Sequence, residues 1–170
     1  IPPHSVEAEA SLLGAMLLSR EAVSIAFERG VRSDEFYKPA HQHIFDAIRA
    51  LNSAGEPVDP VTVGDELRRN NLLEGVGGID ALLTLQNATP AITSAERYAK
   101  IVRETASLRK LISVASEIAE IAYSGPEDVA RAIDESESKI FDVSETNIGD
   151  ASQRLGLLVN EAMEKLEDRA

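Results

Sequence analysis

The sequence predicts an all-α protein: a compact helical head over residues 1–93, an extended antiparallel helical hairpin over 94–143, a flexible linker over 144–151 and a last helix over 152–170. Three observations carry this. Aromatic residues make up 4% of the 170, Trp is absent, and β-branched runs alternating with period two are scarce, so strands have little to build on. Apolar residues recur instead at helical spacing almost everywhere. Ser, Asp, Pro and Gly fall where helices of that spacing must start and stop.

The elements follow in chain order. Ser5 is placed to cap a first helix with Glu7 and Glu9 in its opening turn, where the macrodipole favours anions, and Leu12, Leu13, Met16 and Leu17 as its apolar stripe. Ser19 caps the next helix, which Gly30 ends. Ser33 to Tyr37 reads as a short turn carrying two aromatics. Beyond it, Ile44, Phe45, Ile48 and Leu51 form a helical face running toward Gly55. Asp59 followed by Pro60 is an N-cap with proline at N1, opening a helix to about Arg69 with Val63 and Leu67 inward. Gly75, Gly77 and Gly78 make a tight loop, then Ile79, Leu82, Leu83 and Leu85 lie on a short helix that Pro90 closes.

Thr93 and Glu96 form a capping-box pattern, and no Gly or Pro follows until Gly125. A helix of about 30 residues, roughly 45 Å at ~1.5 Å per residue, is expected there. Tyr98, Thr105, Ile112 and Ala119 recur at seven, as do Ile101, Leu108, Ala115 and Ala122, a heptad seam for a partner helix. Gly125 and Pro126 turn the chain into a returning helix with Val129, Ile133, Ile140 and Val143. Residues 144–151, with Gly149 among small polar neighbours, read as the linker. In the last helix Leu155, Leu158, Val159, Ala162 and Leu166 form one apolar stripe. A lone terminal helix cannot hide that stripe, so it is expected to wait for a surface on another domain or subunit rather than fold back.

Net charge is −12, which sets most of the surface against phosphate backbones and disfavours autonomous nucleic-acid binding. The one basic stretch is Arg97, Lys100, Arg103, Arg109 and Lys110, read as a solvated face paired with nearby acids. Without cysteine there are no disulfides and no thiolate metal ligands. No apolar run approaches the ~20 residues of a membrane span and no signal segment opens the chain, so a soluble cytoplasmic protein is expected. The chain begins at Ile1 rather than Met, so a longer natural chain is expected upstream.

Catalytic groups do not converge in the sequence. His41 and His43, two apart on a helix, point ~200° from one another and cannot share a metal; one packed and one solvated histidine is expected. Glu7 with Glu9, Asp34 with Glu35, and Glu127 with Asp128 sit at helix starts, where anions are favoured structurally. No Lys follows a Gly, and Gly75 to Gly78 has no strand before it, so no phosphate-binding loop is present and no ATP hydrolysis is expected of this chain. No catalytic, cofactor or metal residue is assigned.

Specific stretches then carry a resemblance. Pro2-Pro3-His4-Ser5-Val6-Glu7-Ala8-Glu9, Leu13-Gly14, Glu35-Phe36-Tyr37 and His41 through Ile44-Phe45 resemble the N-terminal domain of the bacterial DnaB-type replicative helicases. So do Gly55 to Asp59 with Val61-Thr62-Val63, the Glu74 to Gly78 loop, and Tyr98-Ala99-Lys100-Ile101-Val102. The resemblance is ordered and runs from residue 1 to about 145.

The resemblance implies a helical head and hairpin joined through a linker helix, residues 152–170, to a RecA-like ATPase domain beyond this chain, which would hold ATP and Mg. It implies a homohexameric ring unwinding DNA at the replication fork, whose N-terminal domains form a collar of dimers, head to head and hairpin to hairpin. Primase docks on that collar, and a helicase loader is a further partner; DNA passes through the intact ring and binds this fragment weakly or not at all. The implied primase-facing residues are Glu7, Ile112 and Ile118. Tyr98, Ile101, Leu108, Ala115, Ile133 and Ile140 are the implied hairpin and self-association seam, and Leu155, Leu158, Val159 and Leu166 the contact to a neighbouring subunit. Two rivals compete: the helicase-binding C-terminal domain of primase, also a small bundle with a hairpin, and a generic helical adaptor. A small helical enzyme would need a pocket of perturbed acids, which no stretch supplies.

Overall fold

The computed structural model describes the backbone of residues 1–169 and the side chains of all of these except 145–154. The described residues form seven α-helices and two short 3-10 turns, with no strand. The helices are α1 (Val6–Leu18), α2 (Arg20–Glu28), α3 (Pro39–Ser53), α4 (Pro60–Arg69), α5 (Gly78–Ala88), α6 (Ala95–Tyr123) and α7 (Val129–Glu167), with 3-10 turns at Ser33–Glu35 and Ile92–Ser94. The chain divides into a compact unit, Ile1–Arg109, and a second unit, Lys110–Ala170.

Local chemistry sets most helix starts. The Ser5 and Ser19 hydroxyls accept from the Ala8 and Ala22 amides, and Asp59 accepts from Thr62 N at 2.8 Å while the Thr62 hydroxyl holds Asp59 N. Pro60 and Pro39 each occupy the first turn, where the missing N–H costs nothing. Gly77, at φ +104, supplies the left-handed entry to α5.

The compact unit closes around Leu12, Leu13, Met16, Val23, Phe36, Ile44, Phe45, Ile48, Val63, Leu67 and Leu82, all essentially removed from water. The tilted pairs Phe27–Phe45 and Phe36–Phe45 lie at its centre. At Gly14, α1 crosses the end of α5 so closely that an added Cβ would stand 1.9 Å from Thr89 Oγ1 and 2.2 Å from Leu85 O. Only glycine allows that approach.

Three features depart from the sequence reading. The head does not end at 93: Ala95, Ala99 and Val102, at i, i+4 and i+7 on α6, belong to its core. Thr93 and Glu96 make no capping box, because Thr93 lies in the 3-10 turn and the Glu96 carboxylate pairs with Arg29. And α7 is one helix of 39 residues, running through 144–151 where a linker was expected, so the terminal helix over 152–170 is its continuation. Gly149 alone costs a helix interior only ~1 kcal/mol. With no proline beside it, each added residue still gains a backbone hydrogen bond. Ala170 and the 145–154 side chains lie outside the described residues.

In the second unit, Gly125 at φ +63 turns α6 into α7, and the Asp128 carboxylate caps α7 by accepting from Arg131 N at 3.0 Å. Lys139 Nζ donates to Glu117 at 2.7 Å across the hairpin. That pairing holds the Lys139 ammonium above the usual lysine range.

Candidate functional site

Two kinds of site emerge: a buried polar hub in the compact unit, and apolar residues left in water on α6 and α7. The hub is built on Glu9. It lies on the same helical stripe as Leu12, Leu13 and Met16, and is therefore carried into the core, 1% exposed. Its carboxylate accepts from three donors: Tyr37 N at 2.8 Å, Lys38 N at 3.3 Å and His41 Nδ1 at 2.8 Å. Burial pushes the Glu9 carboxyl up, but the bonds from His41, Tyr37 and Lys38, with the attraction of the His41 ring, outweigh it and hold the group below the usual carboxylate range.

The turn that Glu9 grips is held from its other side by α6. Glu35 accepts from Arg32 N at 2.7 Å and from Arg103 Nε at 3.2 Å, and Arg103 Nη1 also donates to Arg29 O. Arg109 donates through one guanidinium nitrogen to Pro3 O at 2.9 Å and through another to Glu35 O at 2.7 Å. Its carbon lies 5.5 Å from the centre of the Tyr37 ring, and the His4 ring stacks on Tyr37 at 4.2 Å. Pro3, His4, Glu9, Glu35, Tyr37 and His41, scattered through the opening motifs of the sequence, thus meet in one structure.

The sequence reading expected one packed and one solvated histidine, and the structure has them: His41 is buried and His43 exposed. It did not find Glu9. Its place in the opening turn groups it with Glu7, and of the two acids only Glu7 is exposed. A glutamate on the Leu12–Leu13–Met16 stripe was the available signal, since a carboxylate is carried inward only with partners to meet it. Arg103 and Arg109 are likewise structural cations turned inward, not members of a solvated basic face.

The remaining candidate residues divide by exposure. Tyr98 and Ile101 pack half-buried against the head core. Leu108, Ile112, Ala115, Ile133 and Ile140 are exposed, with Ile112 and Ile133 each about half in water. Within the hairpin Val114 and Val143, the latter on the expected returning stripe, are buried, with Ile118, Ile121, Ala132 and Ser136 half-buried. Leu155, Leu158, Val159 and Leu166 are exposed, at 63%, 61%, 48% and 68%. Two shallow clefts, one at the hairpin turn by Pro126 and Asp128 and one beside Ser19 and Pro57, bring no histidine to an acid. Among the described residues no cluster of acids and histidines could hold a metal, and no helix is long and apolar enough to cross a membrane.

Comparison with known proteins agrees with this architecture. The DnaB-like helicase N terminal domain family matches residues 1–104. Replicative DNA helicase DnaB of Mycobacterium leprae is 41% identical over 168 residues, covering 98% of this chain and 28% of the relative. Replicative DNA helicase DnaC of Bacillus subtilis is 38% identical over 167 residues, covering 98% of this chain and 37% of the relative. The chain thus spans about a third of the length of such relatives. The crystal structure of the N-terminal domain of DnaB helicase from Mycobacterium tuberculosis superposes with a TM-score of 0.79 at 43% identity, over 84% of this chain and 99% of that one. A DnaB-like replicative helicase solved for its interactions with primase shares the fold at TM-score 0.68 and 24% identity, over 82% of this chain and 31% of that one.

Proposed function

The chain belongs to the DnaB-like helicase N-terminal domain family, and from that premise we propose that it serves as the collar of a ring-forming replicative helicase in the cytoplasm. Its work is assembly and docking, with no reaction of its own. ATP and Mg are handled, on this reading, by a RecA-like motor domain of the whole protein, whose hexamer unwinds duplex DNA.

One observation supports this most directly: an otherwise well-packed chain leaves Leu108, Ile112, Ile133, Ile140, Leu155, Leu158 and Leu166 each at least 48% exposed. Large apolar side chains in register on long helices are costly to leave in water, and helical partners cover such stripes. Leu108, Ile133 and Ile140 serve a second copy of the chain. Those at Leu155, Leu158, Val159 and Leu166 serve a neighbouring subunit's motor. Primase is proposed to dock against Glu7 and Ile112, which are exposed, and against Ile118, which is half-buried. The solved helicase with primase interactions favours primase over a generic partner. A helicase loader is a further proposed partner, and DNA is contacted only by the whole ring.

Calorimetric titration of the 170-residue chain with the isolated C-terminal helical domain of primase tests the docking. A saturable heat that falls in Glu7→Lys and Ile112→Asp is expected. A flat titration with the parent chain would overturn it.

A further inference from the structure

Residues 2–4 belong to no helix, and their attachment to the body is unusual. Pro2 and Pro3 have no N–H, so those two residues can bind only through their carbonyls and side chains. It is held at two points: Pro3 O accepts from Arg109 Nη1 at 2.9 Å, and the His4 ring lies on Tyr37 at 4.2 Å, nearly parallel. His4 Nδ1 lies 2.7 Å from Pro2 O, which shapes the stretch from within but adds no tie to the body. Both anchors are shared with other elements. Arg109 spends its second donor on Glu35 O, and the Tyr37 amide donates to Glu9. What holds the strap therefore also holds the 33–38 turn to α6 and α1.

We propose that residues 2–4 form a releasable strap whose seating on Arg109 and Tyr37 is thermodynamically coupled to the closure of the 33–38 turn and of α6 over residues 103–109. Reciprocity requires that whatever loosens the strap loosens α6 where it leaves the compact unit, and that ordering α6 there seats the strap. Neither residues 2–4 nor their anchors Tyr37 and Arg109 belong to the buried apolar core, so the strap opens locally without unfolding it, and its release is a small free-energy step. A ligand that captured the Pro2-Pro3-His4 stretch would thereby act on α6 without touching it. The inference rests on contacts within residues 1–109 and stands whether or not the collar reading does.

Proton NMR and amide exchange on the 170-residue chain test it. In the parent, the His4 ring protons should be shifted upfield by the Tyr37 ring current. Arg109→Ala should return them to unstacked values. His4→Ala removes only the stack, a contact of a size that should speed exchange of the 103–109 amides ~2- to 10-fold while leaving Leu12–Leu17 unchanged. Should Arg109→Ala fail to fold, the His4→Ala arm decides alone. Unstacked His4 protons in the parent would overturn the proposal, as would His4→Ala exchange at 103–109 equal to the parent's.

Discussion

Replacing Gly14 by Ala adds one methyl group where α1 crosses the end of α5. The new Cβ would lie 1.9 Å from Thr89 Oγ1 and 2.2 Å from Leu85 O. The Thr89 hydroxyl donates to Leu85 O at 3.1 Å, but it is a side chain and can turn away. Leu85 O is backbone and cannot, so the end of α5 must retreat by more than ~1 Å to restore ordinary contact. Overpacking of this kind costs ~1–3 kcal/mol, and the upper end applies where a main-chain atom blocks. Alanine's better helix propensity returns ~1 kcal/mol. The net expectation is a loss of about 2 kcal/mol, a fall in Tm on the order of 8 °C for a domain of this size. Gly64→Ala is the control, because its Cβ would meet the far end of the Ile79 side chain at 2.5 Å, and that chain can rotate. Urea and thermal unfolding followed by far-UV circular dichroism should rank the parent as most stable, then Gly64→Ala, then Gly14→Ala. A Gly14→Ala protein as stable as the parent, or less affected than Gly64→Ala, would refute the reasoning.

Further expectations concern the hub and the caps. Glu9→Ala leaves the buried His41 Nδ1 and the part-buried Tyr37 and Lys38 amides without their acceptor and should cost ~3 kcal/mol in urea unfolding, far beyond Glu7→Ala on the same helix turn. Because the Glu9 carboxyl is held below its ordinary value, its contribution is fully present above the unfolded pKa of about 4.3 and is lost as pH falls through the lowered folded value. A urea midpoint that falls below pH 4 in the parent but stays flatter in Glu9→Gln is therefore expected. Asp59→Ala removes an N-cap and should cost ~1 kcal/mol by the same assay. Leu158→Asp, at a position 61% exposed, should leave the unfolding midpoint of the compact unit unchanged.

How much of this was legible in the sequence depended on how local the cause was. Asp59-Pro60 and Ser19 carry their own signal, because a cap acts on the amide three residues away. The core stripes of α1, α3 and α4 were equally readable, since spacing alone puts Leu12, Ile44 and Val63 on buried faces. Glu9, Arg103 and Arg109 were not, for their partners lie 28 to 106 residues away and a charge inside a stripe is ambiguous until the partner is known. The hairpin shows a different limit. Heptad spacing on α6 could not say which face turns to α7: Val114, outside both series, is buried, as is Val143 of the returning stripe, while Ala115 and Ile140 are exposed. The small polar residues at 144–151 carry the composition of a break, yet with no proline among them the backbone follows the helix on either side.

Sedimentation equilibrium of the 170-residue chain, alone and as the Leu108→Asp/Ile140→Asp double variant, tests most directly whether the exposed stripes exist to grip other subunits. A concentration-dependent dimer or larger species is expected for the parent at micromolar concentrations, and a monomer of unchanged helicity for the variant. A parent that stays monomeric into the high micromolar range would contradict that role of the stripes.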